Sequence, residues 1–212
     1  MYDFIKTLQF RHACKLFDDK RNISKEEFET ILEAARLSPS SFGLEPWHLL
    51  VVENAKLREL IRSACWDQPQ ITTASEVVVL LSRKAEFFKK DSEYLNEAFG
   101  RKAKEEKMLG AVKSAFDNFI TNDLATDAQN WAKMQTYIAG ANLMNAAASI
   151  GIDTCPIEGF NAAKLTKILT ENVSVFDALS YNIAFVLTFG YRVSEPREKI
   201  RWPLEKIVTF VK

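Results

Sequence analysis

LSPSSFGLEPWH, the twelve residues from Leu37 to His48, follows an amphipathic helical pattern and precedes an apolar strand pattern. Ser38, Ser40, Ser41 and Gly43 leave a stretch of backbone with little bulk, braced by Pro39 and Pro46. Such a turn can bring main-chain N–H groups and short hydroxyls within bonding distance of a flat ligand. Taken alone it also suits an ordinary helix-to-strand connection. A basic cluster near each end of the chain, far apart in sequence, favours the ligand reading.

Working outward from this turn, Ser24 and Glu27 form a capping box and Ile23 with Phe28 a hydrophobic staple. They predict a helix over about Lys25–Leu37, whose apolar stripe is Phe28, Ile31, Leu32 and Ala35. Beyond the turn the pattern predicts a strand at about His48–Val52, a helix at Ala55–Ala64 and a strand at Val77–Leu81. The segment from Arg83 to Lys107 is crowded with charge and interspersed with Phe87, Phe88, Tyr94 and Phe99. It reads as part of a surface helical excursion over about residues 84–122. Asp127–Ile150 is the longest helical pattern, apolar on more than one side, and Gly151 suits its stop. An extended piece at Ile152–Pro156, a loop at Ile157–Gly159 and a helix after Asn161 follow. Apolar strands are expected at Ile183–Phe189 and Ile207–Val211. Strands separated by helices predict a single domain over residues 1–212 with a layered α/β or α+β architecture, a central mixed sheet flanked by helices. A polar arm over about residues 192–212 ends in IVTFV, which reads as a strand able to reach a partner's sheet edge.

The totals exclude several classes. Lys plus Arg and Asp plus Glu are 28 each, so no global field recruits nucleic acid or an anionic membrane. Fifteen Phe argue for a real core. None of the seven Gly forms G-x-G, which excludes a dinucleotide fingerprint and a Walker loop. The N-terminal MYDFIKTLQF is not a secretory signal, and the apolar runs are strand-length rather than membrane-spanning. Cys14, Cys65 and Cys155 are odd in number and widely spaced, so no disulfide framework is expected and a reducing cytoplasm is. Two His without Cys or carboxylate spacing offer no metal site.

The chemistry-bearing residues lie at the two ends. Arg11-His12-Ala13-Cys14-Lys15 is one cluster; the other runs from Arg197 to Trp202, where Lys199 and Arg201 face the same way if the arm is extended. Arg11, Lys15, Lys199 and Arg201 together could clamp a phosphate. Each cluster alone equally fits a solvated basic surface.

FRHACKLFD, LSPSSFGLEPWH, NLMNAAASIGID, CPIEGFN and the final K-x-R occur in one order over about residues 10–202. In this arrangement the chain resembles the nitroreductase family of flavin-dependent oxidoreductases. The resemblance implies an intertwined homodimer with C-terminal strand exchange and FMN in a cleft at the subunit interface. It places Arg11, His12 and Lys15 on the ribityl-phosphate and pyrimidine side, with Lys199 and Arg201 completing the phosphate site. Pro39, Ser40 and Ser41 would come from the partner subunit to the isoalloxazine ring. Pro156, Ile157, Glu158 and Gly159 would lie along it, and Gln68 and Gln70 would match the polar edge.

By the same resemblance the flavin carries the chemistry and no protein nucleophile is needed. Hydride from NAD(P)H would pass to nitroaromatics, quinones or flavins by ping-pong turnover, with the Lys15 ammonium stabilising the anionic reduced ring. Phe42, Trp66, Phe116 and Phe119 are candidates to stack on aromatic acceptors, or else core and interface aromatics. Ala13, Glu45 and Asp67 depart from the Ser, Gln and Asn common in the family. A dimeric module that binds FMN or another phosphate ligand without turnover is the alternative function, and a purely structural protein a third.

Overall fold

The computed structural model describes residues 4–103 and 105–212. Met1–Asp3 of the N-terminal decapeptide and Lys104 of the excursion lie outside the described residues. The chain opens with α1 (Phe4–Phe10) and continues to α2 (Lys25–Arg36), β1 (Trp47–Val51), α3 (Ala55–Ala64), α4 (Gln70–Thr73) and β2 (Glu76–Arg83). The excursion carries α5 (Glu93–Gly100) and α6 (Glu106–Asn118); α7 (Ala128–Ser149), β3 (Asp153–Ile157), α8 (Ala162–Asn172), β4 (Tyr181–Gly190) and α9 (Leu204–Ile207) follow.

The helix starts stand where side-chain caps put them. Ser24 Oγ accepts from the Glu27 N–H while the Glu27 carboxylate accepts from the Ser24 N–H, which closes the capping box at α2. Asn54, Asp127 and Asn161 cap α3, α7 and α8 by one bond each, the side-chain oxygen accepting from the N–H three residues on.

The sheet order is β1-β2-β4-β3, and all three ladders are antiparallel. This corrects the mixed sheet expected for one chain. β2 and β3 do run the same way, as strands joined through helices should, but β4 inserts between them and runs against both. Helical connections reveal relative direction; they do not reveal which strands become neighbours.

Val77–Leu81 are all buried, because both faces of β2 are covered. One face (Val77, Val79, Leu81, Val186) packs with residues of α3 and α8 such as Ile61 and Leu165. The other (Val78, Leu80, Phe185, Leu187) packs under α2 and α7 through Ile31, Ala139 and Leu143. α7 lies close enough that a Cβ on Gly140 would stand 2.3 Å from Phe185 Cζ. The excursion builds its own aromatic core, in which Phe88, Leu95, Phe99 and Phe116 pack on Trp131 of α7 and Leu44 of the turn.

The C-terminal segment departs from expectation. Ile207 ends the short helix α9, and Val208–Lys212 form no strand within the chain. Ile207, Val208, Phe210 and Val211 are all exposed. A strand exists only where another strand satisfies its N–H and C=O groups, and none of the described strands pairs with this segment.

Candidate functional site

Beyond α1 the backbone turns along the outer side of β3. Ala13 bridges Thr154 in parallel, and the Cys14 N–H donates to the Thr154 carbonyl at 3.0 Å. This covers the β3 edge and aims the Lys15 ammonium at Cys155, whose Sγ lies 3.5 Å from Nζ. Further on, Phe17 bridges Arg192 and the Asp18 N–H donates to Tyr191 O, so the N-terminal segment and the root of the arm run side by side.

The two basic clusters meet. Arg11, His12 and Ala13 line a crevice of about 340 Å³ together with Arg197–Arg201. A larger crevice of about 600 Å³ adjoins it, lined by His12–Leu16 and Ser194–Arg197; His12, Ala13 and Arg197 belong to both. Neither Arg11 nor Arg201 forms an ion pair with a carboxylate among the described residues. Desolvation, with the nearby charges of Arg11 and Arg201 added to it, lowers the Lys199 pKa. The crevice lining carries Arg11, Arg197, Lys199 and Arg201 against one carboxylate, Glu198, and this positive excess suits an anion.

The geometry refines two roles. The Lys199 ammonium donates to the carbonyls of Leu8 and Arg11, so it clasps the end of α1 to the arm. Lys15 stands in the adjoining crevice rather than in the one that holds Arg11 and Arg201.

A relay of polar contacts continues from Lys15. Gln70 Nε2 lies 3.6 Å from Cys155 Sγ and donates to Gln68 Oε1 at 2.9 Å; Gln68 Nε2 donates to Gly159 O at 3.1 Å. Gln70 and the Ile157 side chain are buried, while Pro156 and Gly159 are half-buried and Glu158 is exposed. Glu158 Oε1 accepts from Tyr137 Oη at 2.6 Å; desolvation, and after it this bond, raises the Tyr137 pKa. The Trp66 ring lies against Gly159, where an added Cβ would come within 2.6 Å of it. Burial holds the thiols neutral: Cys14 is pushed up to about 11 and Cys65 to about 12, and Cys155 is raised although Lys15 opposes the shift.

The slim turn is held from two sides. On α7, Gln135 Oε1 accepts from the Ser41 N–H at 2.9 Å and Asn142 Nδ2 donates to Ser38 Oγ at 2.8 Å. From α5 and the residues after it, Tyr94 Oη donates to Leu44 O, Lys102 Nζ to Gly43 O, and Arg101 pairs with Glu45 at 3.4 Å. These contacts hold Phe42 and Glu45 at φ of 57° and 55°, a left-handed conformation that strains residues other than glycine. Pro39 is exposed and Ser40 Oγ accepts from the Glu45 N–H. The turn's contacts run to α7 and the excursion, not to the basic crevice.

Of the four aromatic candidates, Phe116 takes the core alternative. It is fully buried, enclosed by Phe42, Phe88, Phe99, Phe119 and Trp131, and has no face left for a ligand. Phe42 is 36% exposed at the edge of that cluster, beside half-buried Phe119; Trp66 stands apart at 74%. Sequence reasoning passed over Gln135, Asn142, Asp153 and Arg192. Gln135 and Asn142 lie seven residues apart, two turns along one face of an apolar helix, and that spacing was a usable signal. Among the described residues no group of three or more His, Cys, Asp or Glu is placed to hold a metal, and no helix is long and apolar enough to cross a membrane.

The nitroreductase family model matches residues 8–191. A Staphylococcus haemolyticus protein named "Putative NAD(P)H nitroreductase" is 44% identical over 213 residues, covering 98% of this chain and 96% of that one. A nitroreductase-like protein from Streptococcus mutans superposes with a TM-score of 0.83 at 18% identity, over 99% of this chain and 98% of the other. A "putative nitroreductase in complex with FMN" from Exiguobacterium sibiricum gives 0.80 at 22% identity, over 100% and 98%. The two solved structures share the fold. The fold is matched in shape, and residues 8–191 are matched in sequence. The chain belongs to the nitroreductase family.

Proposed function

We propose that the chain is an FMN-dependent oxidoreductase that takes hydride from NAD(P)H and delivers two electrons to nitroaromatics, quinones or flavins. The observation that carries this reading is the crevice in which Arg11 and Arg201, from opposite ends of the chain, stand without a carboxylate ion-pair partner among the described residues. Its donor set suits a phosphate monoester. The adjoining crevice carries Lys15, which suits a ligand with an anionic tail and a second electron-rich group beside it. The name of the Staphylococcus haemolyticus relative supports the electron donor, and the FMN bound to the Exiguobacterium sibiricum protein supports the cofactor.

Bound FMN would supply the two-electron carrier. The protein's part is to bind and orient. Arg11, His12 and Arg201 hold the phosphate, and Lys199 keeps α1 and the arm in register around it. The Lys15 ammonium, beside a neutral thiol that cannot cancel its charge, favours negative charge on the adjoining ligand edge. Backbone groups of Pro156, Ile157, Glu158 and Gly159 line the ring. Phe42, Trp66 and Phe119 present the aromatic surface for acceptors.

The site is completed in a homodimer, with Pro39, Ser40 and Ser41 supplied by the partner. The arm supports this: Ile200, Trp202, Leu204, Ile207, Phe210 and Val211 are each at least two-thirds exposed, as no apolar segment should be in its final setting. β3 is covered by residues 13–14, and β1 is the sheet edge left for a strand from a second copy. Covering the four apolar residues of IVTFV would contribute about 1.5–3 kcal/mol each.

The test is a visible spectrum of purified protein, followed anaerobically. A yellow protein that bleaches with NADH or NADPH is expected; a colourless one that takes up no added FMN rejects the reading. Flavin uptake without NAD(P)H oxidation by menadione would leave a binding module.

A further inference from the structure

Asp153 begins β3 and is 3% exposed, yet it is the meeting point of three chain segments. From the root of the arm, Arg192 Nε donates to both carboxylate oxygens at 3.1 and 3.0 Å and Nη2 to Oδ1 at 2.7 Å. The Arg192 backbone N–H donates to Oδ2 at 3.0 Å. From the N-terminal segment, His12 Nδ1 faces Oδ1 at 3.4 Å, close enough for charge to act but outside good hydrogen-bond geometry. The Arg192 guanidinium also lies over the Phe10 ring, 4.3 Å from its centroid, and pairs with Glu195 at 3.5 Å.

We propose that Asp153 is a positioning residue for the phosphate end of the cofactor site: through Arg192, whose guanidinium also lies over Phe10, it fixes the two chain ends that carry the clamp at one separation. This rests on the FMN reading given above. The groove walls are residues 11–16 on one side and 194–201 on the other, and Asp153 lies between their two roots. A buried ion pair contributes little net stability, because desolvation offsets most of the Coulombic gain. A bidentate guanidinium–carboxylate pair does fix direction, since its two parallel bonds allow one orientation. Arg192, its charge answered by Asp153, leaves the anion to Arg11 and Arg201.

The experiment compares FMN with riboflavin, which lacks the phosphate, by quenching of flavin fluorescence. Binding of both is measured for the wild type, for Asp153→Asn, and for a double variant, Asp153→Leu with Arg192→Met. The double variant removes both charges together and so leaves no unpaired ion in the core. The expected result is a loss of FMN affinity of tenfold or more in both variants, with riboflavin affinity changed less than twofold. Equal weakening of the two flavins, unchanged FMN affinity in a folded variant, or failure of both variants to fold would each overturn the positioning role. Wild-type protein that takes up neither flavin overturns the functional reading itself. Wild-type protein that prefers FMN, with variants that prefer it equally, overturns only this inference.

Discussion

Arg201 tests the clamp at the scale of one side chain. It shares the crevice with Arg11 and has no carboxylate partner among the described residues, so its removal leaves no buried charge stranded. Arg201→Ala is expected to weaken FMN binding by about tenfold or more, the worth of one charge-assisted hydrogen bond. Unchanged FMN affinity would remove Arg201 from the site. The two histidines make a separate prediction. Desolvation outweighs the pull of Asp153 and lowers the pKa of His12, and desolvation with Arg83 lowers that of His48. The unfolded chain therefore binds these protons more readily than the folded one, so stability falls as pH drops through the ordinary histidine value of about 6.5. Thermal unfolding between pH 7.5 and 5.5 should show this slope, and His48→Gln should flatten it. At lower pH, burial raises the Glu76 pKa and works in the opposite sense.

α7 is the element that organises the molecule. Its inner face lies on β2 and β4, its start holds Trp131 under the excursion, and Gln135 and Asn142 pin the slim turn. Gly140 permits that approach, so Gly140→Ala must push Phe185 or lift the helix. Overpacking of this kind costs about 1–3 kcal/mol, and for a chain this long each kcal/mol lowers the Tm by about 2–4 °C. An unchanged Tm would mean that Phe185 yields without cost. The helices were legible because their starts are chemical: Ser24 with Glu27, Asn54, Asp127 and Asn161 announce them locally. The strand order was not, because β4 takes its place beside β3 by pairing with β2, whose residues Glu76–Arg83 stand 98 to 113 positions before their partners.

For the whole molecule, the exposed arm is the feature one chain does not explain. Deleting Ile207–Lys212 should weaken the proposed dimer, seen as a lower mass by light scattering and a Tm that falls on dilution. An unaltered dimer with an unaltered Tm would show that IVTFV makes no contribution to assembly. The basic groove also belongs to this scale. Arg11 and Arg201 are 190 residues apart in the chain and share one crevice, with Asp153 and Arg192 between their roots.

The sequence by itself determined what depends on near neighbours: the capped helices, the apolar runs that became β2 and β4, and the slim turn between Pro39 and Pro46. It also held, through five ordered motifs, the family to which the chain belongs. Tertiary structure alone decided the antiparallel order of the sheet, the burial of Phe116, the Lys199 clasp on α1 and the carboxylate of Asp153 at the groove's root. The division follows from range. Capping and periodicity act over a few residues and are written into the local pattern, whereas strand neighbours and ion pairs depend on which distant segments fill the same space once the core has closed.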